Sequence, residues 1–296
     1  MGFLPMVRPA TERPRLCRTC GLRESHCAPP AAMGGRANDD AFWRDEWQSG
    51  VGASGSSKVV PRLLLPDAVP SRRVRYGPAE QHFAELRLPT DASAPARARG
   101  GRSPVAVFVH GGFWKSEWAL DLEVAMADDL AHHGYASWNI EYRRVGYKEN
   151  EFVSHEGAGW PGTFQDVATA LDKLADVAAE VGSLDMERVI LIGHSAGGHL
   201  ALWLAQAHRQ LTVPLLGEEG TAGRRCRVKP LAVVGQAPVA DLHQAYDMKL
   251  SDDGDAAEVF MGGSPESVAG GAAYPAASPA ALLPLGCPQL VIASTR

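Results

Sequence analysis

The sequence predicts an α/β fold with a mostly parallel sheet and helices on both of its faces. Three observations predict it. From Tyr76 onward, short apolar runs alternate with longer segments of helical spacing, the order expected when each strand is followed by a crossover helix. Two of the runs, Val105–Val109 and Val189–Ile192, are apolar without alternation, as in strands buried on both faces. Each of these two leads directly into a glycine-containing turn, His110-Gly111-Gly112-Phe113-Trp114 and Gly193-His194-Ser195-Ala196-Gly197.

The elements follow in order. His82 to Leu88 alternates like a strand half buried on one face. Asp91 to Ser103 reads as a polar hairpin loop, and Val105 to Val109 as a buried strand. Leu120 to His133 has helical spacing and stops at Gly134, placed as a C′ residue. Tyr135 to Ile140 is a strand. Phe164 to Val181 is a long amphipathic helix, with Pro161 near its start and Gly182 just past its end. Arg188 to Ile192 is a strand, Ala196 to His208 a helix, and Leu231 to Val234 and Gln289 to Ile292 two further strands. Right-handed crossovers then put helices on both sheet faces.

Composition excludes several classes of function. The chain has 296 residues, 45% hydrophobic and 21% charged, as in soluble globular proteins. A net charge of −5 gives no basic face for nucleic acid. No apolar run approaches the ~18 residues of a membrane span. Five cysteines, an odd number, do not make a disulfide framework, so the sequence reads as cytoplasmic.

Residues 1–70 differ from the rest and read as a poorly ordered leader to a domain spanning 71–296. Six Arg against two Glu between Met1 and Asn38 leave organelle targeting open. Cys17, Cys20, His26 and Cys27 invite a zinc reading and Cys17-x-x-Cys20 has knuckle spacing, but no second pair follows at the distance a finger needs, so they are read as incidental and no metal is assigned. Phe42-Trp43-x-x-x-Trp47 has the spacing of a short helix.

The chemistry sits at two strand ends. Gly193 to Gly197 is a G-x-S-x-G between an apolar strand and a helical pattern, the context in which this motif displays a nucleophile. Small flanking residues let strand and helix approach, and the sharp turn lifts the hydroxyl of Ser195 above the sheet. The N–H of Ala196, at the helix start, is aimed at the same spot and is an oxyanion donor candidate. The HGG turn supplies the second, with Gly112 the first choice and Gly111 the next. His110 reads as a structural residue of that turn. Phe113, Trp114 and Trp160 are candidates for a substrate pocket wall, or equally for core.

With these residues in view, the chain resembles the α/β-hydrolase superfamily from about Tyr76 to its end. Within it, the chain looks like the kynurenine formamidase and feruloyl or acetyl-xylan esterase group, on HGGFW, GHSAGGHLALWLA, the Trp138–Arg144 segment, Gly159-Trp160-Pro161 with Phe164, Asp166 and Val167, and Ala277-Ser278-Pro279. The resemblance implies a cofactor-independent serine hydrolase acting on a small ester or formamide, with Ser195 as nucleophile. It also implies an acid after the strand Gln289–Ile292 and a histidine one strand later. The sequence stops at Arg296, so the expectation is a domain incomplete at its C-terminus. Gln289–Ile292 would then be an open sheet edge and turnover would be impaired. Asp166, early on the long helix, is expected to cap or pair. Of the later residues, Asp241 and His243 are the stand-in acid and base. The competing reading is a non-catalytic pseudohydrolase that binds a ligand or partner in the same pocket.

Overall fold

The computed structural model describes residues 69–89, 100–148, 151–152, 154–218 and 225–293. The leader through residue 68, with its Cys/His group and its Phe42–Trp47 segment, lies outside the described residues, as does most of the Asp91–Ser103 loop.

In chain order the strands are β1 (Ser71–Arg75), β2 (Phe83–Arg87), β3 (Ser103–Val109), β4 (Ala136–Ile140), β5 (Tyr147–Lys148), β6 (Glu151–Phe152), β7 (Leu184–His194), β8 (Ala232–Gln236) and β9 (Gln289–Ile292). β5 and β6 pair with each other. The other seven form one sheet in the order β1-β2-β4-β3-β7-β8-β9. Within this sheet the β1/β2 and β2/β4 pairs are antiparallel and the other pairs are parallel. The helices are α1 (Val124–His132), α2 (Gly162–Val181), α3 (Ala196–Ala205), α4 (Leu242–Asp247), α5 (Ala256–Met261) and α6 (Ala273–Ala277).

The layering follows from the two-residue period of β3, whose seven residues are all buried. Val105, Val107 and Val109 join the main core with Val167, Leu171 and Leu174 of α2 and Leu200 and Leu204 of α3. Ala106 and Phe108 point the other way, onto Ala127, Met126 and Leu130 of α1. A continuous apolar strand thus signals helices on both faces, as expected.

The structure differs from the expectation at four points. The strand β2 is buried along its whole length rather than on one face. Its polar residues are covered because Arg87 bonds Asp128 of α1 at 2.7 Å and Glu85 at 3.1 Å, satisfying charges that a solvent-facing alternation had suggested. The strand β1, at the start of the 71–296 domain, forms where no element was assigned. The first turn of the predicted Leu120–His133 helix is a 3₁₀ turn, Leu120–Glu123, and the helix after Ser195 ends at Ala205 instead of His208. Gly134 (φ 88°) and Gly182 (φ 71°) end α1 and α2 in the left-handed conformation the sequence assigned to them. The last described strand, β9, is exposed on both faces, with Leu290, Val291 and Ile292 each about half exposed.

Candidate active site

Register brings the two glycine turns together. In the parallel β3/β7 pair Val109 lies opposite Gly193, and in the β3/β4 pair it lies opposite Ile140. His110, Glu141 and His194 therefore leave the sheet side by side at its carboxyl edge. This is also the point where the chain switches direction, since β4 lies on one side of β3 and β7 on the other. Open α/β sheets place ligands at such a point.

Ser195 has φ 54° and ψ −118°, outside the regions a side chain ordinarily adopts. The turn is over-determined. The Ser195 N–H donates to the Gln236 carbonyl at 2.8 Å, and its own carbonyl accepts from His199 N–H at 3.0 Å in the first turn of α3. Two close approaches require glycine. At Gly197 a Cβ would collide with the carbonyl oxygens of Val109 and His110. At Gly111 a Cβ would sit 2.6 Å from the His194 carbonyl and 3.3 Å from Ser195 Cβ. The HGG turn is thus pressed against the serine turn. Among the described residues the N–H groups of Gly111, Gly112 and Ala196 donate to no protein group, so all three are free to bond an anion arriving at this edge.

A buried charge cluster fixes the HGG turn. Glu141 accepts from His110 Nε2 (3.2 Å), from the N–H of Leu120 (3.1 Å) and of Tyr142 (2.9 Å), and pairs with Arg144 Nε (3.2 Å). The Tyr142 hydroxyl donates to the His110 carbonyl at 2.7 Å, and its ring stacks on the imidazole at 4.2 Å. Arg144 also donates to the carbonyl oxygens of Ser116 and Trp118. Burial alone would raise the carboxyl of Glu141, but Arg144, His110 and the hydrogen bonds outweigh it and hold it down at about 2. His110 is accordingly structural, as read. Sequence reasoning missed Glu141 and Arg144, although a charge one residue beyond a buried strand, level with His110, was the available signal. Asp166 pairs as expected with Arg143 (2.7 Å), and His82 Nε2 lies 3.0 Å from its carboxylate.

The aromatic candidates separate. Trp114 is fully buried and stacks on Phe260 at 4.3 Å, so it is core beneath the HGG turn and not a pocket wall. Phe113 and Trp160 are only partly buried, and Trp160 packs edge-on against Phe164 at 5.0 Å.

The stand-in acid and base are not brought together as a relay. Asp241 caps α4, accepting from the N–H groups of His243 and Gln244. The His243 ring is exposed and lies 3.9 Å from Asp247, one turn along the helix. Among the described residues no histidine or carboxylate hydrogen-bonds the Ser195 hydroxyl.

His199, one turn after Ser195, bonds the Ala277 carbonyl through Nε2 at 2.9 Å and is sealed among Trp114, Phe164 and Phe260. Burial lowers its pKa to about 4, against the opposing pull of that carbonyl. A folded-state value below the unfolded ~6.5 means the unfolded chain binds the proton first. Stability contributed by neutral His199 is therefore complete above about pH 6.5 and is lost as the pH falls toward 4. In His199→Gln, unfolding free energy measured by urea titration should depend less on pH across that window, by about 1.4 kcal/mol per pH unit. An unchanged slope would place the ring in contact with solvent.

Comparison with known proteins adds a family. The profile of the BD-FAE family matches residues 91–295, which includes both glycine turns. The chain belongs to the BD-FAE family. It is an esterase family of the α/β-hydrolase superfamily. A probable mitochondrial carboxylesterase 4 from Arabidopsis thaliana is 26% identical over 207 residues, covering 66% of this chain and 50% of that protein. The chain thus spans about half the length of this curated relative. Among solved structures, esterase B of Lactobacillus rhamnosis aligns with TM-score 0.56 and 19% identity, over 85% of this chain and 71% of that one. A truncated carbohydrate esterase from gut microbiota aligns with TM-score 0.55 and 21% identity, over 76% and 77%. A thermophilic esterase of Thermogutta terrifontis aligns with TM-score 0.52 and 20% identity, over 75% and 69%. At these identities the likeness is one of fold, and it matches the mixed seven-stranded sheet of this BD-FAE member.

Proposed function

We propose that this chain is a serine hydrolase of carboxylic esters that works through an acyl-enzyme on Ser195. The observation that carries the proposal is the strained Ser195 turn packed against a second turn with unpaired N–H groups. In this reading Ser195 Oγ adds to the ester carbonyl carbon, and its proton passes to a base. The carbonyl oxygen gains the negative charge and is held by the N–H of Ala196 and of Gly112 or Gly111. The tetrahedral species collapses, the C–O bond to the alcohol breaks, and the alcohol leaves with a proton. Water then attacks the acyl-serine by the same sequence. No metal or cofactor has a part in it. Phe113 and Trp160, partly exposed, favour an aromatic acyl or leaving group, and a formamide is the next substrate class to test after aryl and phenolic esters.

The second reading, a ligand-binding pseudohydrolase, draws on a specific observation: no described histidine hydrogen-bonds the Ser195 hydroxyl. The two readings separate in one experiment on the 296-residue chain. With p-nitrophenyl acetate, mass spectrometry should find acetylated Ser195. Added imidazole, acting as the mobile base, should raise its rate of formation, and Ser195→Ala should show none. Methyl ferulate and N-formylkynurenine in the same assay rank the substrate classes. If Ser195 stays unmodified with and without imidazole, the pseudohydrolase reading replaces the first.

A further inference from the structure

A cavity lies at the opposite end of α3 from Ser195. It has a volume of about 550 Å³ and is lined by Gln206, His208, Arg209, Arg225 and the segment Leu282–Pro284, within the size range of small-ligand sites. Among the described residues its lining carries two guanidinium groups and an imidazole but no carboxylate. Among the described residues neither Arg209 nor Arg225 forms an ion pair. Arg209 is held in place by donating to the Pro284 carbonyl at 2.6 Å. His208 bonds the Ala205 carbonyl through Nδ1 at 3.1 Å, which leaves Nε2 for another partner.

Cations near a helix C-terminus have an ordinary explanation, because they offset the negative end of the helix dipole. That accounts for His208 and Arg209, which follow directly on α3. It does not account for Arg225, which arrives from a separate segment.

We propose that this cavity is a binding site for a small ligand carrying a phosphate or carboxylate group. Arg225 and Arg209 supply charge-assisted, bidentate-capable donors, and His208 Nε2 completes the set around the anion. The site is separate from Ser195, roughly 15 Å away along the ten-residue α3, and its occupancy does not depend on ester hydrolysis.

The test is proton NMR of the His208 ring in the 296-residue chain, titrated with inorganic phosphate or with acetate at constant ionic strength. Burial and the positive fields of Lys229, Arg209 and Arg225 hold the His208 pKa below its usual value. An anion in the cavity should raise it, saturably, in the millimolar range. Saturation by phosphate alone assigns a phosphate group, and saturation by acetate as well extends the site to carboxylates. Arg225→Gln should weaken binding by about tenfold while leaving acetylation of Ser195 unchanged. A His208 resonance that does not respond to either anion, or responds equally in Arg225→Gln, overturns the proposal.

Discussion

Replacing Glu141 with glutamine is expected to destabilise the protein by about 3 kcal/mol and to loosen the HGG turn that it anchors. The isosteric amide keeps the shape but removes the negative charge. Arg144 and His110 then lie buried beside a neutral group, and desolvation is no longer offset. The acid response gives an independent check. The folded-state value of about 2 lies below the ordinary 4.5, so this carboxylate contributes stability that is fully present above about pH 4.5 and is lost as the pH falls toward 2. A shift of that size corresponds to about 3 kcal/mol. Urea unfolding of the parent at successive pH values should show this loss, and Glu141→Gln should lack it. If Ser195 acylates as proposed, the same variant should slow acylation by about 10²-fold or more, since a displaced oxyanion donor costs that much. Equal stability of parent and variant at pH 7 would remove Glu141 from its anchoring role.

The second large effect is expected for Gly197→Ala. One methyl group would enter the space already held by two carbonyl oxygens of the β3 end, at Val109 and His110. These atoms belong to the central strand, so relief requires moving α3 away from the sheet rather than rotating a side chain. The cost should reach about 3 kcal/mol or more, read as a fall in the urea midpoint at unchanged slope. It should be accompanied by loss of Ser195 acetylation, because α3 carries the Ala196 N–H. A variant within about 0.5 kcal/mol of the parent would show that the helix has room to shift.

The parts of the site legible in the sequence are those where backbone meets backbone. Gly111, Gly193 and Gly197 are legible because only glycine permits the approach, and Ser195 because it stands between two of them. The central strands β3 and β7 were legible because their cores are apolar throughout. What escaped notice depends on pairs far apart in sequence. The Arg87–Asp128 and His110–Glu141 bonds join residues 41 and 31 positions apart, and no spacing rule links them. This is why β2 looked half exposed. The strand β1, Ser-Arg-Arg-Val-Arg, escaped because one valine among three arginines shows no two-residue period. Two of these arginines pair, Arg72 with Glu180 of α2 and Arg73 with Glu85 of β2. Helices α4 to α6 have only five or six residues each, too few for a 3.6-residue period to register. Trp114 was ambiguous because an aromatic after HGG can face either the pocket or the core, and the stacking on Phe260 that decides it comes from 146 residues later.

The central claim is that the β7–α3 turn holds Ser195 as a reactive nucleophile facing the HGG turn. The most direct test is to treat the folded 296-residue chain with a fluorophosphonate probe and locate the adduct by peptide mass spectrometry. A single adduct on Ser195, absent from Ser195→Ala and from heat-unfolded protein, is the predicted result. A folded chain that takes up no probe, or takes it up at a residue other than Ser195, would contradict the claim.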